Sequence, residues 1–192
     1  QLKRIPAEIG NLKHLKKLRI ELPNITNLPN SIGNLGLLEE LFIVCPNLIA
    51  IPETLGNIRA LKKIIGREAR ELRSIPNSIG NLSELEYLEI NKSKIKALPE
   101  SFGKLTRLRK LIILESDLEK LPELFGNLES LEELRITDSK LRELPDSFGN
   151  LRCSVRINGG LLETLPESIG SINSTSIHIT GNRLTELPES IG

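Results

Sequence analysis

Apolar and polar positions in this chain follow one template from end to end. The pair Leu/Ile-Pro recurs at Pro6, Pro29, Pro52, Pro76, Pro99, Pro122, Pro145, Pro166 and Pro188, with spacings of 23, 23, 24, 23, 23, 23, 21 and 22 residues. Four residues after each proline stands a glycine: Gly10, Gly33, Gly56, Gly80, Gly103, Gly126, Gly149, Gly170 and Gly192. Two residue types in step at nine places mark an internal repeat.

The unit from Leu131 to Leu151 shows what each position is for. Its apolar residues are Leu131, Leu134, Ile136, Leu141, Leu144, Phe148 and Leu151. Alternation around Leu134 and Ile136 predicts a short strand with those two side chains on one face. The stretch from the Leu-Pro pair predicts a short helical turn. Proline suits the first helical position, the acidic residue beside it complements the positive helix end, and glycine ends the turn. A unit this small cannot bury its own leucine face, so the units must stack. Eight strands follow, centred on Arg19, Phe42, Ile65, Glu89, Ile112, Arg135, Arg156 and His178. At ~4.8 Å per strand the stack is roughly 38 Å long. Leu111 belongs to the buried side of that ladder.

The unit resembles the leucine-rich repeat pattern L-x-x-L-x-L-x-x-N-x-L, and the resemblance runs through the whole chain. It implies an α/β solenoid, a curved horseshoe. A parallel ladder lines the concave face, and short helices, 3-10 turns or loops line the convex face. Residues 1–192 then form one leucine-rich repeat domain of about eight repeats, open at both ends and expected to be part of a longer protein. The L-x-x-L-P-x-S-I-G-N-L form is found in bacterial proteins, in intracellular Ras-associated scaffolds and in plant immune receptors. The stretch Leu165 to Ile191 looks like the final repeats of type III secreted effectors, including those fused to an E3 ubiquitin ligase domain. The resemblance implies a protein-recognition module of a bacterial effector or host-interaction protein, with delivery into a host cell or a cytoplasmic location favoured. An intracellular scaffold or a plant immune-receptor sensor is the alternative.

Several positions depart from the pattern. The family's turn asparagine survives only as Asn182, and its expected equivalents are Pro23, Pro46, Arg70, Ser93, Ser116, Ser139 and Gly160. Proline has no N–H to offer, so the first turns must be satisfied in another way. One extra residue falls around Gly66–Arg70. The stretches after Leu151 and Ile172 are short, and those units should pack differently.

Composition narrows the function. The net charge is +1, from 26 basic and 25 acidic residues, so no bulk field favours nucleic acid or an anionic membrane. Residues 1–96 hold 15 Lys/Arg against 10 Asp/Glu, and residues 97–192 hold 11 against 15. No apolar run approaches the ~20 residues of a membrane span. Cys45 and Cys153 fall five repeats apart, ~24 Å along the stack, too far for a disulfide. His14 and His178 lie away from both cysteines, so no nucleophile and base converge; neither enzyme chemistry nor a cofactor is expected. His178 has no ligand-spaced neighbour, but it extends a small basic stripe with Arg156 and Arg135. The sequons at Asn24, Asn81, Asn91 and Asn173 are what a chain rich in Asn and Ser produces by chance.

The positive expectation is a docking surface for another protein. Solvent-facing ladder positions are mostly charged: Lys17, Arg19, Glu40, Lys63, Glu89, Lys110, Glu133 and Arg135. In repeats two to five Phe42, Val44, Ile65, Tyr87, Ile112 and Leu114 take such positions. Strands ~4.8 Å apart would bring these into one continuous apolar patch with a charged rim. Tyr87 and Phe42 are its expected anchors.

Overall fold

The computed structural model describes residues 2–191; Gly192, the ninth glycine of the register, lies outside them. Eight strands form: β1 (Lys17–Glu21), β2 (Glu40–Val44), β3 (Lys63–Arg67), β4 (Tyr87–Ser93), β5 (Lys110–Ser116), β6 (Glu133–Thr137), β7 (Ser154–Asn158) and β8 (Ile177–Thr180). They make one open parallel sheet in sequence order. The expected centres align in a single row, from Arg19 opposite Phe42 to Arg156 opposite His178.

The return segments are 3-10 turns, and no α-helix occurs among the described residues. The repeat proline sits one position earlier than expected. Pro29, with φ −70° and ψ 145°, precedes its turn, and its carbonyl accepts the first bond from Ile32 N–H at 3.0 Å. Pro52, Pro76, Pro99, Pro145 and Pro166 do the same. Extended geometry at this residue is compatible with the fixed φ of proline, which therefore defines where the turn begins.

The apolar rows stack into one core running the length of the array. Leu41, Ile64, Leu88, Leu111 and Leu134 form one buried row, with Leu111 fully buried as expected. On the turn side Phe102, Phe125 and Phe148 are fully buried, with ring centroids 6.4 and 6.1 Å apart and planes within 7°. The glycine of each turn abuts the next one. A Cβ on Gly126 would lie 1.9 Å from the Ser147 carbonyl oxygen, while its N–H donates to Ser147 Oγ at 3.0 Å. Space, not backbone angle, requires glycine here.

The second buried row has one gap. Ile20, Ile43, Ile90, Ile113 and Ile136 fill it, but β3 contributes Gly66. An apolar cavity of ≈ 20 Å³ lies there between Ile43, Leu48, Leu72 and Ile90. A Cβ on Gly66 would meet only the Glu89 carbonyl, at 3.8 Å. Gly66→Ala should therefore stabilise the chain by about 1 kcal/mol, from the lost flexibility of glycine and the added methyl. Urea denaturation checks this, and a lower midpoint would mean the site cannot take the methyl.

The turns after the strands explain the missing asparagine. Glu68, Lys92, Glu115 and Asp138 have φ between 48° and 55°, and Gly159 and Gly181 have φ 65°. This common left-handed step aligns Ala69, not Arg70, with Ser93, Ser116, Ser139, Gly160 and Asn182. Arg70 is exposed and pairs with Glu68. The extra residue of that repeat thus falls between Ala69 and Leu72. Asn182 Nδ2 donates to Ile157 O at 3.0 Å. In the proline-bearing second repeat, Cys45 Sγ turns inward and approaches Ile20 O at 3.9 Å, while Asn47 Nδ2 donates to Pro23 O at 2.8 Å. The two short repeats differ as expected: Leu151 and Ile172 leave their turns with ψ 151° and 125°, against 62° at Leu35.

Charge alternates along the strand-entry edge. Lys16, Glu39, Lys62, Glu86, Arg109 and Glu132 follow one another, each joined to the previous one by a backbone bond of 2.8–2.9 Å. Their side chains pair along the row, Lys16 and Lys62 with Glu39, and Arg109 with Glu132.

Candidate functional site

Three rows of side chains face away from the core on the strand side. Phe42, Val44, Ile65, Tyr87, Ile112 and Leu114 all lie in these rows, and all are half-buried. They do not form one uninterrupted patch. In the central row Glu89 stands between Ile65 and Ile112. In the outer row Arg67 and Asn91 separate Val44 from Leu114. The surface divides into Phe42, Val44 and Ile65 on one side and Ile112 and Leu114 on the other, with Tyr87 at the divide.

Glu89 is also not the solvated charge that its position suggested. It is only 6% exposed. Arg67 Nε donates to its Oε1 at 2.8 Å, and the Tyr87 hydroxyl donates to its Oε2 at 2.8 Å. Two donors make the burial of this carboxylate tolerable. Burial pushes its pKa up, but the bonds from Arg67 and Tyr87 outweigh this and hold it below the ordinary value. Arg67 is raised in turn, chiefly by its bond to Glu89.

The aromatic rings are clad by cations. The Arg19 guanidinium lies 4.1 Å from the Phe42 ring centroid, and that of Arg67 lies 5.8 Å from it. Lys63 Nζ lies 4.8 Å from the Tyr87 centroid. Such contacts contribute about 0.5–1 kcal/mol each at exposed sites. A cavity of ≈ 280 Å³ opens beside Phe42, between Lys17, Arg19, Glu40, Lys63 and Ile65. The arrangement offers an incoming protein apolar and aromatic surface next to fixed charges of both signs.

The Tyr87 phenol is pushed up to about 12, first by burial and then by the Glu89 carboxylate. Tyr87 is the only tyrosine and there is no tryptophan, so the long-wavelength absorbance band of the ionised phenol reads this residue alone. An alkaline titration should give a midpoint near 12 in the folded chain and about 10 in denaturant. Glu89→Gln should lower the folded midpoint while leaving it above the denatured one. The raised pKa favours the neutral phenol in the folded chain. Its stabilisation is therefore complete below pH ~10 and is lost as pH rises from there through about 12. A folded midpoint equal to the denatured one would remove Tyr87 from the buried cluster.

Sequence reasoning missed the Arg67–Glu89–Tyr87 cluster. The available signal was register: Arg67 lies two residues past Ile65, and Glu89 is Ile65's partner on the next strand. Other candidate residues lie elsewhere. Cys45 and Cys153 carry buried free thiols, both pushed up by burial, Cys153 to about 11. Such thiols are poor nucleophiles. Asn24, Asn81 and Asn173 are exposed, and Asn91 is half-buried in β4. Among the described residues no group of three or more His, Cys, Asp or Glu is placed to hold a metal ion. No helix of these residues is long and apolar enough to cross a membrane.

A family model described as a leucine-rich repeat region matches residues 65–152. No curated protein matches the sequence. Among solved structures, the leucine-rich repeat domain of the type III effector XopL is similar, with 25% identity and a TM-score of 0.83; the match covers 99% of this chain and 69% of that one. A leucine-rich repeat protein of Leptospira interrogans has 20% identity and a TM-score of 0.69, over 99% of this chain and 67% of that one. The plant peptide hormone receptor RGFR1, solved in complex with RGF2, has 25% identity and a TM-score of 0.70, over 94% of this chain. This chain spans 31% of that receptor's length. With its eight-stranded parallel ladder, its 3-10 returns and its 23-residue spacing, the chain has the fold of a leucine-rich repeat solenoid.

Proposed function

We propose that this chain is a protein-recognition module that binds a partner protein on its concave face, at Phe42, Val44, Ile65, Tyr87, Ile112 and Leu114. The observation that carries the reading is the pair of cation-clad aromatics, Phe42 and Tyr87, half-buried beside apolar residues on a ladder face that also carries many charges. Aromatic anchors ringed by polar residues are the usual anatomy of an interface centre. The module serves a bacterial effector or host-interaction protein; similarity to the XopL domain over nearly the whole chain supports this. A second reading, a peptide-sensing receptor segment, is supported by the likeness to RGFR1, whose structure holds RGF2.

Capture of a partner from host lysate, followed by titration of a Phe42→Ala, Tyr87→Ala double variant, tests the surface. Binding should weaken by about 30-fold or more, the equivalent of ~2 kcal/mol for hot-spot truncation. An unchanged affinity in a folded variant would move the interface elsewhere. Sequencing the flanking gene separates the two settings. An adjoining ligase domain supports the effector, and a following membrane span and kinase domain support the peptide receptor.

A further inference from the structure

Beyond the aromatic centre, the same face carries a short stripe of basic side chains. Arg135, Arg156 and His178 are consecutive in the central row, across β6, β7 and β8. Most other cations on this face have partners. Lys17 pairs with Glu40, Arg19 with Glu21, Arg67 with Glu89 and Lys110 with Glu133, while Lys63 covers the Tyr87 ring. Among the described residues Arg135 and Arg156 have neither a carboxylate nor a ring. Arg135 is half-buried, and its Nε is shielded from solvent with no acceptor. A shielded donor without an acceptor is a costly state that an arriving acceptor relieves.

The flanking rows are neutral and polar along most of the stripe. Ser154 and Ser176 share a hydroxyl bond of 3.0 Å on one side, and Thr180 donates to Asn158 at 3.0 Å on the other. Glu133, the acidic residue beside Arg135 in β6, is already held by Lys110. Guanidinium groups are suited to forked bonding with carboxylates. The setting argues against a polyanion. Residues 97–192 hold 11 Lys/Arg against 15 Asp/Glu, so the stripe is a local feature on a net acidic half without a long-range attractive field. Three strands span ~10 Å between the outer two, about three to four residues of an extended peptide lying along the array.

We infer that Arg135, Arg156 and His178 form a docking site for an acidic segment of the partner protein, an extended stretch with two or more Asp or Glu side chains. The inference rests on reading the concave face as a recognition surface, and it gives the chemistry of one end of that surface. The partner would lay apolar side chains against Phe42 and Ile65 and its carboxylates on the arginines of β6 and β7.

The test uses a fluorescein-labelled octapeptide of alternating Glu and Ser, which puts its carboxylates on one side, with a Gln/Ser octapeptide as control. Fluorescence anisotropy should show binding of the acidic peptide only, weakening as salt is raised. An Arg135→Gln, Arg156→Gln double variant should lose ~10-fold or more in affinity, as charged hydrogen bonds are removed. An Arg59→Gln, Lys104→Gln double variant, which removes the same charge from exposed sites off this face, should bind as the parent does. Equal binding by the Arg135/Arg156 variant would overturn the site. So would no binding of the acidic peptide by the parent. Tighter binding of an oligothymidylate at the same two arginines would overturn the peptide in favour of nucleic acid. None of these outcomes touches the recognition reading, which fails separately if the Phe42/Tyr87 variant keeps its captured partner.

Discussion

Replacing Phe125 by alanine is expected to cost about 3–5 kcal/mol of stability. The ring is fully buried and stacked on both sides, 6.4 Å from Phe102 and 6.1 Å from Phe148. Two contributions add. The apolar surface of the ring is lost, and the two flanking rings keep facing a hole, because the 3-10 turns that carry them are fixed by their own prolines. The position has a further consequence. Each repeat touches only its neighbours, so cooperativity passes through every interface in turn. Weakening the sixth turn should loosen the coupling of the first five repeats to the last ones. Urea unfolding followed by circular dichroism should show an earlier and broader transition. A loss below ~1 kcal/mol with an unbroadened transition would mean that the rings are passengers in the core.

Gly126→Ala should destabilise by about 3 kcal/mol, at the upper end of overpacking costs. The new methyl carbon would stand 1.9 Å from the Ser147 carbonyl oxygen and 2.7 Å from its carbonyl carbon. Neither atom can rotate away as a side chain can, so the turns must separate. Separation stretches the Gly126 N–H bond to Ser147 Oγ and the Phe125–Phe148 contact together. Thermal denaturation of the variant checks this, and an unchanged midpoint would show that the backbone yields easily. The contrast with Gly66 is instructive: one methyl stabilises at a strand position with open space and destabilises at a turn position without it.

Most of the architecture was legible in the sequence. Proline and glycine in fixed register gave the repeat length, and the centres from Arg19 to His178 align as a row because alternation fixes which side chains face inward. What stayed hidden depends on contacts between repeats. Position alone assigned Glu89 to solvent; its burial follows from Arg67 and Tyr87 reaching it at the same time. Likewise Ala69, not Arg70, takes the asparagine row, because Glu68 adopts a left-handed angle seldom used outside glycine. Nothing in the local spelling of that turn announces the step. The six apolar ladder residues were found by pattern, but their division was missed because their spacing was counted without the charged residues standing between them.

The alternating row on the strand-entry edge gives the array a parity. Lys16, Glu39, Lys62, Glu86, Arg109 and Glu132 repeat in sign every two units, so the electrostatic period is twice the structural one. Deleting one repeat, for example the one carrying Lys62, would set Glu39 beside Glu86. Deleting two adjacent repeats would restore opposite neighbours throughout. Each exposed pair is worth only about 0.2–1 kcal/mol, but like charges in contact add a cost where there had been a gain. An array built this way should tolerate shortening or lengthening by pairs of repeats better than by single ones, so that the natural module of exchange is two coils and not one.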